Sequence, residues 1–314
     1  MSKDMYPLIL KPVIKDYIWG GTRLKDEFGF ETDKKIAAEG WMLSVHKDGT
    51  NTVTNGKFKG RTLDEVLALF GYQDKFPILI KLIDAKDRLS VQVHPDNAYA
   101  LENEGEYGKT EMWYIVDCKP GAKLIYGFNK EISKAEFRER ISDNTLDEVM
   151  NYVPVKKGDV FFISAGTLHA IGAGILIAEI QQNSNTTYRV SDYGRLGADG
   201  KPRELHIGKA LDVTNTKPSV IPYGNVGEIK KYVYGTKRHL AKCEYFDVTC
   251  YGLDGVKNFN AKKKFISLLI LGGEVKITCN GESINARKGD SVLIPKGVAV
   301  KCAGKAEIIC SLCD

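Results

Sequence analysis

A chain of 314 residues is long enough for two ordinary domains or one large β domain, and 43% hydrophobic and 27% charged residues is the balance of a water-soluble globular protein. The net charge of +5 comes from lysines and arginines interspersed with acidic residues, which argues against a nucleic-acid-binding arm or a polybasic membrane patch; it suits a small anionic partner without demanding one. No apolar run reaches the roughly 18 residues of a membrane-spanning helix, and Lys11 and Lys15 interrupt the first apolar stretch, so it does not read as a secretory leader. Six of the seven cysteines lie in the last quarter of the chain, and the lone Cys310-x-x-Cys313 has no second pair and no neighbouring histidine. They read as free thiols of a cytoplasmic protein, and this pair as strand residues rather than a zinc site.

In chain order, residues 5–60 read as short strands and turns. Residues 6–14 are strand-like, Trp19-Gly20-Gly21 is a turn, and residues 38–46 alternate before the Asp48-Gly49 turn signal. Thr62 and Glu65 form a capping box that opens a short helix, which Gly71 ends. Residues 77–85 are a near-continuous apolar strand with Lys81 in its middle. From Leu89 the chain alternates until Pro95, so Gln92 and His94 project from the same side of a strand. Residues 112–128 read as a hairpin turning at Lys119-Pro120-Gly121. Residues 131–152 carry two capping boxes, Ser133 to Glu136 and Thr145 to Glu148, and predict two short helices. Strands resume to about residue 193. Pro218, Pro222, Gly224 and Gly227 mark 214–228 as a domain linker, and the remainder is all short strands. The expected fold is mainly β, of sandwich or jelly-roll type.

One unit occurs twice. Gly158-Asp159, an apolar run and Gly166 are followed by His169; Gly289-Asp290, an apolar run and Gly297 at the same spacing are followed by Val300. If that last position faces the interior, the first copy binds a metal there and the second does not. Lys109 lies two before Glu111, so both share a side in an extended segment. Glu179 lies in a strand that is otherwise mostly apolar, where a carboxylate must be paired, ligating or poised to titrate.

The repeat resembles the cupin superfamily, with Ser164 where proline is usual in the first copy and Pro295 keeping it in the second. Within that superfamily, Leu89-Ser-Val-Gln-Val-His-Pro-Asp96, Lys109-Thr-Glu111-Met-Trp-Tyr114, Ala165-Gly-Thr-Leu-His169-Ala170 and Tyr188-Arg189 together resemble type I mannose-6-phosphate isomerases of the short bacterial form. So do Tyr17-Ile-Trp-Gly-Gly21, Ala38-Glu-Gly-Trp41 and Arg203-Glu-Leu-His206. The resemblance covers residues 1 to about 213; beyond that it rests on chain length and the degenerate repeat. It implies two cupin β units: a catalytic domain over 1–225 with a helical insertion at about 131–152, and a degenerate cupin-like domain over 226–314.

The resemblance further implies that Gln92, His94, Glu111 and His169 bind one zinc ion per chain, with glutamine where a generic cupin has its first histidine. Two imidazoles, a carboxylate and an amide leave room for substrate, as a catalytic zinc requires, though two histidines and a carboxylate also suit non-haem iron. The implied reaction is aldose–ketose isomerisation of mannose 6-phosphate and fructose 6-phosphate through a cis-enediolate. Glu179 is the first choice for the proton-transfer base, on the expectation that burial raises its pKa toward neutrality. Lys109 is the second choice and His94 the third. Arg189 would steady the enediolate. Lys81, Ser90 and Asp192 would bind substrate, and Lys81, Arg195 and Arg203 are available to the phosphate without a choice among them. The alternatives are an Fe(II) cupin oxygenase and a sugar-phosphate binder without turnover. The expected partner is a small sugar phosphate, with no nucleic acid or membrane, for a monomer or homodimer. His46, His206 and His239 have no spacing partners and are assigned no chemistry.

Overall fold

The computed structural model describes residues 5–72, 75–197, 200–262 and 264–313. Its architecture follows from alternation along three neighbouring strands. In Ile78–Ala85, Glu111–Cys118 and Ile175–Gln182, one set of side chains is Ile80, Leu82, Met112, Tyr114, Leu176, Ala178 and Ile180. The opposite set is Ile83, Trp113, Ile115 and Ile177, together with Lys81, Glu111 and Glu179. The first set shares a core with Val248, Leu269 and Ile309 of the C-terminal sheet and with Phe246 just before its strand Asp247–Asn260. The second faces the interior of the N-terminal unit. Residues 77–85 read as near-continuously apolar because this strand is covered on both faces.

These strands sit in a six-stranded antiparallel sheet, ordered Val160–Ile163, Glu111–Cys118, Ile175–Gln182, Ile78–Ala85, Glu39–Leu43 and Val13–Lys15. A five-stranded sheet covers its inner face, ordered Met150–Pro154, Lys123–Phe128, His169–Ala170, Val91–Val93 and Tyr188–Ser191. Trp113, Phe161 and Ile177 from the first meet Leu124, Tyr126 and Val153 from the second, closing a sandwich. A nine-stranded sheet is built on the long strands Asp247–Asn260, Ile266–Cys279 and Ala299–Leu312. Leu8–Lys11 joins that last sheet, with Leu8 opposite Leu293, and Thr52–Val53 continues it. Sheet membership therefore does not divide at residue 225: an N-terminal strand completes the C-terminal unit.

Three local expectations change. Glu111–Cys118 and Lys123–Phe128 lie in different sheets, so the Pro120-Gly121 turn, with Gly121 at φ +76°, carries the chain across the sandwich and does not make a hairpin. In the helical insertion, Ser133 caps the helix Lys134–Ser142 by accepting from the Glu136 N–H at 3.0 Å. The second capping box gives only a 3₁₀ turn, Leu146–Glu148, without a side-chain cap, and Met150–Pro154 is already strand. The proline- and glycine-rich stretch 214–228 is docked on the sheet edge: Gly224 exchanges backbone hydrogen bonds of 2.8 and 2.9 Å with Val160, and Tyr223 stacks on Phe161. The Thr62–Glu65 box forms as expected on the helix Leu63–Leu69. Among the described residues, no helix is long and apolar enough to cross a membrane.

The repeat is real in three dimensions. Gly158 and Gly289 have φ of +87° and +93°, and Gly166 and Gly297 have +83° and +82°, a left-handed corner that favours glycine. Asp159 accepts from the Lys156 N–H at 3.0 Å, and Asp290 from the Arg287 N–H at 2.8 Å. The Gly166 N–H donates to the His94 carbonyl at 2.8 Å, and the Gly297 N–H to the Ala261 carbonyl at 2.7 Å. Across the ladders, His169 faces Gln92 as Val300 faces Phe259, and Ile163 faces Glu111 as Ile294 faces Ile266. The positions of Gln92, His94, Glu111 and His169 thus hold Phe259, Ala261, Ile266 and Val300 in the second unit, all inside one apolar core.

Candidate metal centre and active site

His169 and Gln92 come from paired strands of the five-stranded sheet, His94 from just beyond the second of these, and Glu111 from the facing sheet. Each histidine is oriented by a backbone carbonyl. His94 Nδ1 donates to the Thr186 carbonyl at 2.9 Å and His169 Nδ1 to the Thr167 carbonyl at 2.8 Å. A carbonyl only accepts, so both Nδ1 atoms carry the proton and both Nε2 lone pairs turn inward. Between them lies Glu111, fully buried, with Oε1 3.5 Å from His169 Nε2 and Oε2 3.7 Å from His94 Nε2. The three residues' ligand atoms lie within 4.8 Å of one another.

This donor set asks for a cation. Glu111 Oε1 is buried without a hydrogen-bond partner. The Lys109 ammonium stands in the cationic position, bonded to Glu111 Oε2 and 3.2 Å from His94 Nε2. Burial, with the Lys109 charge adding, holds the His94 pKa well below its ordinary value, and burial brings His169 down to about 4. Both imidazoles are therefore neutral, the form that ligates. The Gln92 amide nitrogen lies 3.4 Å from His169 Nε2; a half-turn of the amide presents its oxygen to the same point. The residues fit a metal ion.

Beside this cluster the six-stranded sheet supplies a charged floor. Glu179 sits directly between Lys81 and Trp113 on adjacent strands. Its Oε2 accepts from Trp113 Nε1 at 2.9 Å, and its Oε1 lies 3.3 Å from Lys81 Nζ and 3.7 Å from Lys109 Nζ. Lys81 also faces Glu39 at 3.6 Å, and Glu39 is held by Trp41 Nε1 at 2.7 Å. Burial opposes the charge on Glu179, but Lys109 and Lys81 outweigh it, so its pKa is lowered rather than raised toward neutrality as expected from sequence. Burial likewise opposes the Lys81 charge, and Glu39 and Glu179 more than restore it. Glu111 moves the other way, raised by burial and by the charge on Glu179.

A cavity of about 270 Å³ opens above this floor, lined by Lys81, Lys109, Glu179, Gln92, Ser90 and Arg189 among others. Asp192 does not line it; its buried carboxylate is taken by Arg195 and Arg203. Arg195 is turned away as well, donating to the Arg88 carbonyl at 2.5 Å, whereas Arg203 lines the cavity. A larger cavity of about 1150 Å³ lies against the C-terminal sheet, away from these groups. Sequence reasoning quoted the segments that hold Glu39 and Tyr17 without giving either residue a role. Both line the site, and the Tyr17 pKa is pushed up to about 12 by burial and by Glu39. The available signal was a carboxylate inside an otherwise uncharged strand, Glu39–Leu43.

A sandwich that gathers two neutral imidazoles, an amide and a carboxylate at one end, followed by a second copy of the unit with apolar residues at the same positions, is a metal-binding cupin. Residues 8–112 match the family profile described as "Phosphomannose isomerase type I, catalytic domain", and residues 236–313 match "Mannose-6-phosphate isomerase, cupin domain". The chain is 42% identical to the mannose-6-phosphate isomerase ManA of Bacillus subtilis, over 97% of this chain and 98% of that one. It is 40% identical, with the same coverage, to the mannose-6-phosphate isomerase of Streptococcus mutans. The crystal structure of a mannose 6-phosphate isomerase from Bacillus subtilis superposes with a TM-score of 0.90 at 36% identity, covering 98% of this chain and 99% of that one. The chain belongs to the type I mannose-6-phosphate isomerase family.

Proposed function

We propose that the protein interconverts mannose 6-phosphate and fructose 6-phosphate, using one zinc ion held by Gln92, His94, Glu111 and His169. Catalysis is assigned to the unit formed mainly by residues 1–225; residues 226–314 cover its outer face. The observation that carries the reading is the juxtaposition of two inward Nε2 lone pairs and the orphaned Glu111 oxygen with the charged floor of a cavity. Zinc, when bound, supplies a Lewis acid that lowers the cost of negative charge on the C1 and C2 oxygens. Glu179 carries the proton between C2 and C1. Two ammonium groups keep it anionic and so available to accept, though a weaker base than a carboxylate tuned to neutrality, and the acid it becomes returns its proton readily. Lys109, 3.7 Å from Glu179, polarises the sugar oxygens, and Arg189 at the cavity wall steadies the cis-enediolate. Ser90 and Lys81 position hydroxyl groups.

A coupled assay on mannose 6-phosphate, run before and after chelation and after zinc restoration, tests this. The expected outcome is isomerisation lost with the metal and recovered with zinc. Chelator-resistant isomerisation overturns the metal assignment, and no isomerisation in the zinc-loaded protein overturns the function.

A further inference from the structure

The cavity is electrically polarised along its length. Its floor is balanced: the lining carboxylates Glu39 and Glu179 face the lining ammonium groups Lys81 and Lys109, and Glu111 lies buried behind Lys109. Around its mouth the balance is positive: three guanidinium groups, of Arg189, Arg203 and, set behind them, Arg195, stand against the buried Asp192 and the exposed Glu204. Two of these guanidinium groups, Arg189 and Arg203, line the cavity. Arg189 is held by the Glu204 carbonyl at 2.7 Å, and its Nε is buried without a partner. Burial and the neighbouring Arg203 both work against its charge, a tension that an incoming anion relieves.

Arg203 is the better fixed of the two. Its Nε donates to Asp192 Oδ2 at 2.7 Å and its Nη2 to Asp192 Oδ1 at 2.5 Å, so one edge of the guanidinium is locked in a two-point clamp. Arg195 adds a third contact to the same carboxylate at 2.5 Å, and Asp192 is only 5% exposed. A guanidinium has five donors in a rigid fork, and the clamp engages one edge of it. A long flexible side chain is thereby presented at the mouth with little rotamer freedom left to lose on binding.

We propose that Arg203 is the anchor for the substrate's phosphate and that Asp192 is a positioning residue that acts through Arg203. The assignment rests on the sugar-phosphate reading above, and it makes the mouth, rather than Lys81, the site of phosphate recognition. It orients the substrate with its phosphate at the mouth and C1 and C2 over Glu179, and it makes phosphate discrimination a property of the Arg203–Asp192 pair.

The test compares wild type with Arg203→Ala, Arg203→Lys, Asp192→Asn and Asp192→Glu. It reads kcat and KM for mannose 6-phosphate, competitive inhibition by inorganic phosphate, and metal content. Loss of a charge-assisted anchor raises KM and the phosphate inhibition constant together, roughly 10- to 100-fold in Arg203→Ala. The kcat at saturation stays within about threefold, because the anchor binds ground and transition states alike. Asp192→Asn shifts the same two constants less, and Asp192→Glu restores part of the loss; a merely structural role moves neither phosphate inhibition nor the KM-against-kcat split selectively. An inhibition constant for inorganic phosphate unchanged in both Arg203→Ala and Arg203→Lys, in variants with native metal content, overturns the proposal. Calorimetric titration with inorganic phosphate separates it from the function. Phosphate binding that depends on Arg203 in a protein without isomerase activity supports the anchor while the function fails. Isomerisation with binding independent of Arg203 does the reverse.

Discussion

Two carbonyls, of Thr167 and Thr186, decide what the histidines of this site are. They fix the Nδ1–H tautomer and aim both Nε2 atoms at Glu111. Nothing in the spacing of His94, Glu111 and His169 shows those carbonyls, although the residues themselves were readable. The opposite holds for Glu179. Its burial was legible from the apolar strand around it, but the sign of its pKa shift was not, because Lys81 and Lys109 reach it from another strand and another segment. Glu179→Gln keeps the shape and the Trp113 contact while removing the proposed proton acceptor. The expected result is a fall in kcat of roughly 10²- to 10⁴-fold with little change in KM and native metal content, read by steady-state kinetics and elemental analysis. At Asp192, burial opposes ionisation, but Arg203 and Arg195 lower the pKa from its ordinary 3.8. A lowered carboxylate pKa contributes stability above the unfolded-state value and loses it as pH falls through the folded-state value. The deficit of Asp192→Asn relative to wild type is therefore full near neutrality and shrinks as pH drops below about 4. Urea unfolding midpoints measured against pH check this; a deficit that grows on acidification contradicts it.

At the scale of elements, the two glycine–aspartate turns were recognised from spacing alone because left-handed corners restrict residue type strongly. What each corner presents depends on the partner strand. In the first copy the ladder pairs His169 with Gln92, and in the second it pairs Val300 with Phe259. Ala261 and Ile266 complete an apolar set with no lone pair to offer. The expected stoichiometry is one metal ion per chain by elemental analysis, and none in His169→Val, which copies the second unit into the first. Two ions per chain refute this account of the degenerate site. The misread hairpin at residues 112–128 has the same origin: a Pro-Gly turn states that the chain reverses, and not whether the following strand pairs with its neighbour or crosses to the facing sheet.

Across the whole molecule, the outer face of the catalytic sheet and the C-terminal sheet share one core, from Ile80, Met112 and Ile180 to Val248, Leu269 and Ile309. Leu8–Lys11 ties the first residues of the chain into the last sheet. Each unit also has an interior core of its own, but a shared apolar interface of this kind couples their unfolding. Calorimetry on the metal-loaded protein is expected to give a single cooperative transition, and Ile309→Ala is expected to lower it by the roughly 2–5 kcal/mol of a buried large-to-small change. Two resolved transitions, only one of them moved by Ile309→Ala, go against the shared core.

The resemblance of ordered motifs pointed to the family; local chemistry alone determined the mainly β class, the repeat, two of the three capped helices and the candidate metal-binding residue types. Each of these is set by side-chain period, backbone restriction or donor identity within a few residues. Only the tertiary structure decided which face of each buried strand met the second unit, which histidine nitrogen turned inward and how the two lysines set the charge of Glu179. It also decided that Arg189 and Arg203, but not Arg195, line the cavity. Those outcomes depend on groups brought within a few ångströms from distant parts of the chain, where hydrogen bonding and Coulomb interactions act on distance in space rather than on separation in sequence.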